Sequence, residues 1–232
     1  MSQPRYALYA VPQPETALAR FAASWFGWDI EKGAAVEPVE RVALPAELHR
    51  SVTAEPRRYG FHGTLTAPFR LADGSTEAEL IAACAAFAAA RTRLAPTPLR
   101  LAALGRFLAL IPVTRSPALD ALAARAVERL DRFRAPLSEA ELERRRLASL
   151  TSAQETLLQR WGYPYVMDQF RYHMTLTGSL EPELRARIAD ALTPVVSLLI
   201  AEPYAIDDVA LCVEPSPGAG FRVLRRLELI GV

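Results

Sequence analysis

Phe61-His62-Gly63-Thr64-Leu65-Thr66 and Tyr172-His173-Met174-Thr175-Leu176-Thr177 are two copies of one pattern: an aromatic residue, His, any residue, then Thr-Leu-Thr. The chain has three histidines, and two of them head this pattern. At ordinary residue usage a given His is followed by x-Thr-Leu-Thr on the order of once in several thousand cases, so two coincidences among three are not chance. On a strand, residues i, i+2 and i+4 share a face. The spacing therefore predicts His62, Thr64 and Thr66 on one face, and His173, Thr175 and Thr177 on another. Leu65 and Leu176 point to the opposite side, where helices can cover them. Arg58 lies just upstream of the first copy and Arg171 of the second.

If the two strands are neighbours, they bring together two imidazoles and up to four hydroxyls. Imidazole, with an ordinary pKa of about 6.5, both gives and takes protons near neutrality. Threonine hydroxyls hydrogen-bond non-bridging phosphate oxygens, and the arginines add charge. One His would take a proton from water or a hydroxyl while the other protonates a leaving oxygen, which is metal-free phosphodiester chemistry. The pattern leaves open which His is acid and which is base.

Outward from the motifs, Arg5–Val11 reads as a strand closed by Pro12 and Pro14. Helical spacing of Leu18, Phe21, Ala22, Trp25 and Phe26 predicts a helix over Thr16–Trp28, with Pro14 in its first turn. Gly33–Glu55, rich in Pro, Val and Glu, reads as a long loop, and Phe61–Arg70 as a strand. The capping box Thr76-x-x-Glu79 opens a helix to about Arg93. Leu99–Val113 with Gly105 at its middle is a hairpin or a bulged strand. Ser116-Pro117 starts a helix to about Phe133. Boxes at Ser138-x-x-Glu141 and Thr151-x-x-Gln154 make 138–160 helical, broken near Ser149. Trp161–Tyr165 leaves the helix. Phe170–Leu180 reads as a strand, Pro182–Leu199 as a helix, and Tyr204–Glu214 and Phe221–Ile230 as strands. This order predicts an α+β fold, mostly antiparallel, with helices packed outside.

The 232 residues suffice for one large domain or two intimately packed lobes. A net charge of +1 argues against a protein that binds polyanions by bulk charge. Lys32 is the sole lysine. Cys84 and Cys212 read as buried, reduced core thiols outside any C-x-x-C pair. No H-E-x-x-H spacing exists, so neither metal nor cofactor is expected. The N-terminus shows no basic and apolar leader, and no apolar run nears the roughly 18 residues of a membrane span. A cytoplasmic location, without membrane partners, is the expectation.

His-x-Thr-Leu twice, about a hundred residues apart, resembles the two-histidine (2H) phosphoesterase superfamily. The resemblance implies two pseudo-symmetric lobes of antiparallel sheet with outer helices and a cleft between them, all in one bilobal domain over 1–232. It implies catalysis by His62 and His173 with Thr64 and Thr175. Arg5-Tyr6-Ala7-Leu8-Tyr9, Arg58-Tyr59-Gly60 with Ala67-Pro68-Phe69, and Arg160–Val166 are similar to the bacterial branch linked to phosphonate-metabolism operons. That branch implies a ribosyl cyclic phosphate as substrate. Thr66 stands where many relatives are expected to carry lysine, which leaves the first half-site leaning on Arg58 or another arginine.

Substrate-binding candidates are Thr66, Thr177, Arg58, Arg171 and Tyr163. The expected partner is a small phosphorylated molecule; nucleic acid is disfavoured by the near-neutral charge, since RNA ends would need a basic strip. An RNA-end phosphodiesterase or ligase and a non-catalytic phosphate- or RNA-binding module are the competing readings. His49 reads as a surface residue. Tyr6 and Tyr9 fall on opposite faces of the first strand and read as core. Trp161, Tyr163 and Tyr165 read as loop packing or a stacking pocket, and Arg144-Arg145-Arg146 as a solvated helix face.

Overall fold

A computed structural model of the chain describes residues 3–37, 42–147 and 149–231. In order the elements are β1 (Arg5–Ala10), α1 (Ala17–Phe26), β2 (Trp28–Asp29), β3 (Ala34–Ala35), α2 (Ala46–Arg57), β4 (Gly63–Phe69), α3 (Glu77–Ala89), β5 (Leu94–Thr97), β6 (Leu99–Leu104), β7 (Phe107–Pro112), α4 (Pro117–Leu130), α5 (Glu139–Arg146), α6 (Ser152–Trp161), β8 (Met174–Thr175), α7 (Pro182–Leu199), β9 (Tyr204–Ile206), β10 (Asp208–Glu214) and β11 (Arg222–Glu228).

The fold is α+β. Seven strands form one sheet in the order β11-β10-β1-β4-β8-β7-β6, antiparallel at every step. The two motif strands, β4 and β8, are neighbours at its centre, registered through Gly63 and Met174. The expected lobes are the two halves of this sheet, joined at that pair. Gly63 permits the junction: a Cβ there would collide with the ring of Tyr172.

Period-two alternation sorts the side chains. Tyr6, Leu8 and Ala10 of β1 and Val209, Leu211 and Val213 of β10 face a large core. That core includes Phe21 and Trp25 of α1, Leu80 and Cys84 of α3, Leu122 and Ala126 of α4, and Ile188 and Leu192 of α7. Ala7, Tyr9 and Val11, with Ala210 and Cys212, face the other side, against Ile30 and Phe221. Both cysteines are buried free thiols. No helix among the described residues is long and apolar enough to cross a membrane.

Several local readings are corrected. The expected loop Gly33–Glu55 contains most of α2, although 38–41 lie outside the described residues. Charged residues and Pro56 hid its apolar face, Leu48 and Val52. Pro56 has no N–H, so it cannot bond the carbonyl of Val52 four residues back. That carbonyl instead accepts from the Gly178 amide at 2.8 Å, which fastens α2 to the end of the second motif. Pro14 lies outside α1, which starts after the N-cap Thr16. The strand expected over Phe170–Leu180 shrinks to β8, because the amides of Leu176 and Thr177 both converge on the Leu108 carbonyl, at 2.8 and 3.3 Å. Tyr204–Glu214 divides at Asp207: β9 pairs with β5, and β10 joins the main sheet. Leu99–Val113 is a hairpin turning at Gly105 (φ +55°). All three capping boxes form.

Candidate active site

The two motif histidines are held alike. His62 Nδ1 lies 2.9 Å from the Gly60 carbonyl, and His173 Nδ1 lies 2.7 Å from the Arg171 carbonyl. A carbonyl only accepts, so each neutral ring carries its proton on Nδ1 and presents Nε2 as an acceptor. Each bond reaches back two residues; at the first motif Gly60, at φ +68°, makes the turn that aims the carbonyl. Both rings line one cleft of about 640 Å³, with Thr64 and Thr175 beside them. Thr64 Oγ1 is 3.0 Å from His62 Nε2. Beneath His62 lies Tyr9, ring centroids 3.6 Å apart and 19° from parallel. Phe107 flanks His173 at 5.5 Å.

Burial lowers the pKa of His62 to about 4; the Gly60 carbonyl opposes the shift and His173 adds to it. His173 is also lowered by burial, against the opposing Arg171 carbonyl. A half-dry cleft disfavours the imidazolium.

The final threonine of each motif serves the backbone. The register between β1 and β4 shifts between Leu8 opposite Thr66 and Tyr9 opposite Thr64. This bulge breaks the alternation and turns Thr66 out of the cleft. Its buried hydroxyl accepts from the Leu8 amide at 2.8 Å. Thr177 borders the cleft, but its hydroxyl accepts from the Leu108 amide at 3.0 Å and donates to the Gly178 carbonyl. The two sites match: in each half the last threonine satisfies a leucine amide on the adjacent strand.

Arg58 and Tyr163 line the cleft; Arg171 does not. Its guanidinium turns back to donate to the carbonyls of Asp168 and Phe170, at 3.0 and 2.6 Å. His49 is a partly buried packing residue rather than a surface one. Its Nε2 meets the Trp25 carbonyl at 2.7 Å and its ring packs on Trp25. Tyr6 donates to Glu77 at 2.8 Å.

Sequence reasoning missed Arg5, Tyr9, Tyr59, Phe107, Arg144 and Arg145 as cleft residues. The Arg144–Arg146 reading holds for Arg144 and Arg146, which are exposed, Arg146 reaching Glu155 at 2.7 Å, and is corrected at Arg145. Arg145 lies over the Tyr163 ring, 5.2 Å from its centroid, and its Nε is buried with no hydrogen-bond partner among the described residues. Consecutive helical residues do not share a face, so the run itself signals that one arginine points elsewhere. The helix carrying it is clamped: both oxygens of Glu141 accept from Arg70, at 2.7 and 2.6 Å. That arginine, with the Ser138 cap, holds the Glu141 carboxyl down to about 2. No group of three or more His, Cys, Asp or Glu side chains among the described residues could hold a metal ion.

A family model described as "Protein of unknown function (DUF1045)" matches residues 64–222. A curated protein of Janthinobacterium sp. (strain Marseille), named ribose 1,5-bisphosphate phosphokinase PhnN, is 40% identical over 237 residues, covering 99% of this chain and 52% of that protein. One of the same name from Laribacter hongkongensis (strain HLHK9) is 34% identical, covering 97% of this chain and 52% of that protein. The chain thus spans about half the length of these relatives. A solved E. coli structure, LigT complexed with NADP+, aligns with 98% of this chain and 99% of that one at TM-score 0.45 and 16% identity.

Proposed function

The chain belongs to the DUF1045 family, and on that footing we propose that it is a metal-independent cyclic phosphodiesterase, opening a small sugar or nucleotide cyclic phosphate with His62 and His173. The observation that carries this is the matched pair of imidazoles in one cleft, each locked through Nδ1 with Nε2 left to exchange a proton. Neutral Nε2 of one histidine takes a proton from water as the water oxygen bonds to phosphorus. The other, as imidazolium, gives a proton to the ester oxygen as its bond to phosphorus breaks. The product is a phosphate monoester beside a freed hydroxyl. In this reading Thr64 and Thr175 hydrogen-bond the non-bridging oxygens, Thr64 turning its hydroxyl from His62 Nε2 to the phosphate. His62, the more strongly depressed of the pair, suits the base, and His173 suits the acid.

The relatives' name points to ribose phosphates and to phosphoryl transfer from a nucleotide. This chain contains no G-x-x-x-x-G-K-[ST] stretch, and its only lysine is Lys32. The loop by which P-loop enzymes cradle nucleotide phosphates is therefore absent from these 232 residues. We infer that the named kinase activity belongs to the other half of those relatives. A ribosyl cyclic phosphate in phosphonate breakdown is the substrate this reading favours.

The test is turnover of a panel with chelator present: 5-phosphoribosyl 1,2-cyclic phosphate, nucleoside 2′,3′-cyclic phosphates, and RNA ending in a 2′,3′-cyclic phosphate. His62→Ala and His173→Ala should each lower turnover by about 10²- to 10⁴-fold. Full activity in both variants would overturn the reading. Preference for the RNA end, with steep salt dependence, would move the substrate to RNA.

A further inference from the structure

One end of the cleft holds polar groups that the acid–base pair does not use. Tyr9, Tyr59 and Tyr163 all line it, with Arg5 and Arg145. Tyr9 is fully buried, yet its hydroxyl makes no hydrogen bond among the described residues. The Nε of Arg145 is buried and equally without a partner. Buried donors without acceptors are costly to keep, and two in one cleft point to an acceptor that arrives with the substrate.

The groups form one cluster. Tyr9 and Tyr59 both pack on Phe221, with ring centroids 5.8 and 5.6 Å from it. Arg145 packs on Tyr163, and Tyr59 lies 6.5 Å from His62 between ring centroids. Arg5 is matched by Glu214 at 2.6 Å. Glu141, the acid nearest Arg145 on its own helix, is committed to Arg70. Glu55 also lines the cleft, but Arg145 makes no ion pair with it or any other acid among the described residues, and its planar fork suits the oxygens of a phosphate.

We propose that Arg145, with the hydroxyls of Tyr9, Tyr59 and Tyr163, forms a second anion subsite that holds a non-reacting phosphate monoester of the substrate. Tyr9 joins the two places, its ring lying against His62 while its buried hydroxyl shares the cleft with Tyr59, Tyr163 and Arg145. The second phosphate therefore sits on the same small molecule as the reacting one. The proposal deepens, and rests on, the phosphodiesterase reading.

The experiment compares matched substrates: ribose 1,2-cyclic phosphate with a 5-phosphate or a free 5-hydroxyl, and nucleoside 2′,3′-cyclic phosphates with and without a 5′-phosphate. The protein should prefer the phosphorylated member of at least one pair by about tenfold or more in kcat/KM, mainly through KM. Arg145→Gln and the nearly isosteric Tyr9→Phe should each bring that ratio most of the way to one, with Arg145→Lys restoring part of it. Equal kcat/KM within both pairs, or a ratio unmoved by Arg145→Gln, overturns the subsite and leaves the phosphodiesterase reading standing. If neither pair is turned over, calorimetric titration with ribose 5-phosphate decides. Binding that Arg145→Gln abolishes supports the subsite while the phosphodiesterase reading fails; no binding overturns the subsite as well.

Discussion

Thr64 and Thr66 are two residues apart with the same side chain, yet one borders His62 and the other supports a bulge. Thr66→Val keeps the shape and removes the acceptor for the Leu8 amide. Leaving a buried N–H unpaired costs about 1–3 kcal/mol, read as a lower midpoint in chemical denaturation. Thr177→Val should do the same through Leu108. Wild-type stability in both would contradict these roles. Thr64→Val should instead act on turnover. The histidines carry a pH signature. Both are lowered, His62 to about 4. The base must be neutral and the acid charged, so kcat/KM should fall as pH rises through values below 6.5 and fall again as pH drops toward 4. A flat profile from pH 5 to 8 would exclude this pair as the titrating groups. The same depression makes stability from His62 complete above its unfolded pKa of about 6.5 and lost as pH falls toward 4.

Among the elements, the seam between β4 and β8 depends on Gly63. Gly63→Ala would drive a methyl into Tyr172, so the strands must part and the imidazoles with them. Overpacking of this kind costs about 1–3 kcal/mol, and turnover should drop far more than loss of folded protein explains. Normal kcat in a stable Gly63→Ala would show that the spacing of the strands does not matter. Helix α5 hangs on Arg70 and Glu141. Glu141 is depressed to about 2, so this contribution is present above its unfolded value near 4.5 and lost as pH falls toward 2. Arg70→Ala should cost about 1–2 kcal/mol, since the pair is partly exposed, and should raise KM by loosening Arg145. An unchanged KM would separate α5 from substrate binding. Helix starts were legible because a capping box lies within four residues, as at Thr76, Ser138 and Thr151. The face shared by His62 and Thr64 was legible from period two. The length of β8 was not, since it depends on what Leu108 offers from another strand. Nor was the gathering of Tyr9, Tyr59 and Arg145, which come from three distant segments.

At the scale of the whole molecule, the two halves of the sheet meet through the Gly63–Met174 register, whereas β1 pairs with β10 from Arg5–Glu214 to Tyr9–Ala210. Hydrogen exchange should therefore find the amides of Gly63 and Met174 less protected than those of Ala7 and Leu211. Equal protection would mean that the halves open only together.

The position of β1 between β4 and β10 also sets an order of events during synthesis. The half carrying His173 draws its strands from residues 99–175 and can close while the chain is still being made. The half carrying His62 closes only once residues 208–228 have been added. Its first strand leaves the ribosome before the rest of the sheet and keeps an unpaired edge until residues 208–228 follow. Nascent chains arrested before residue 208 should need a chaperone for β1, and those released beyond residue 228 should not.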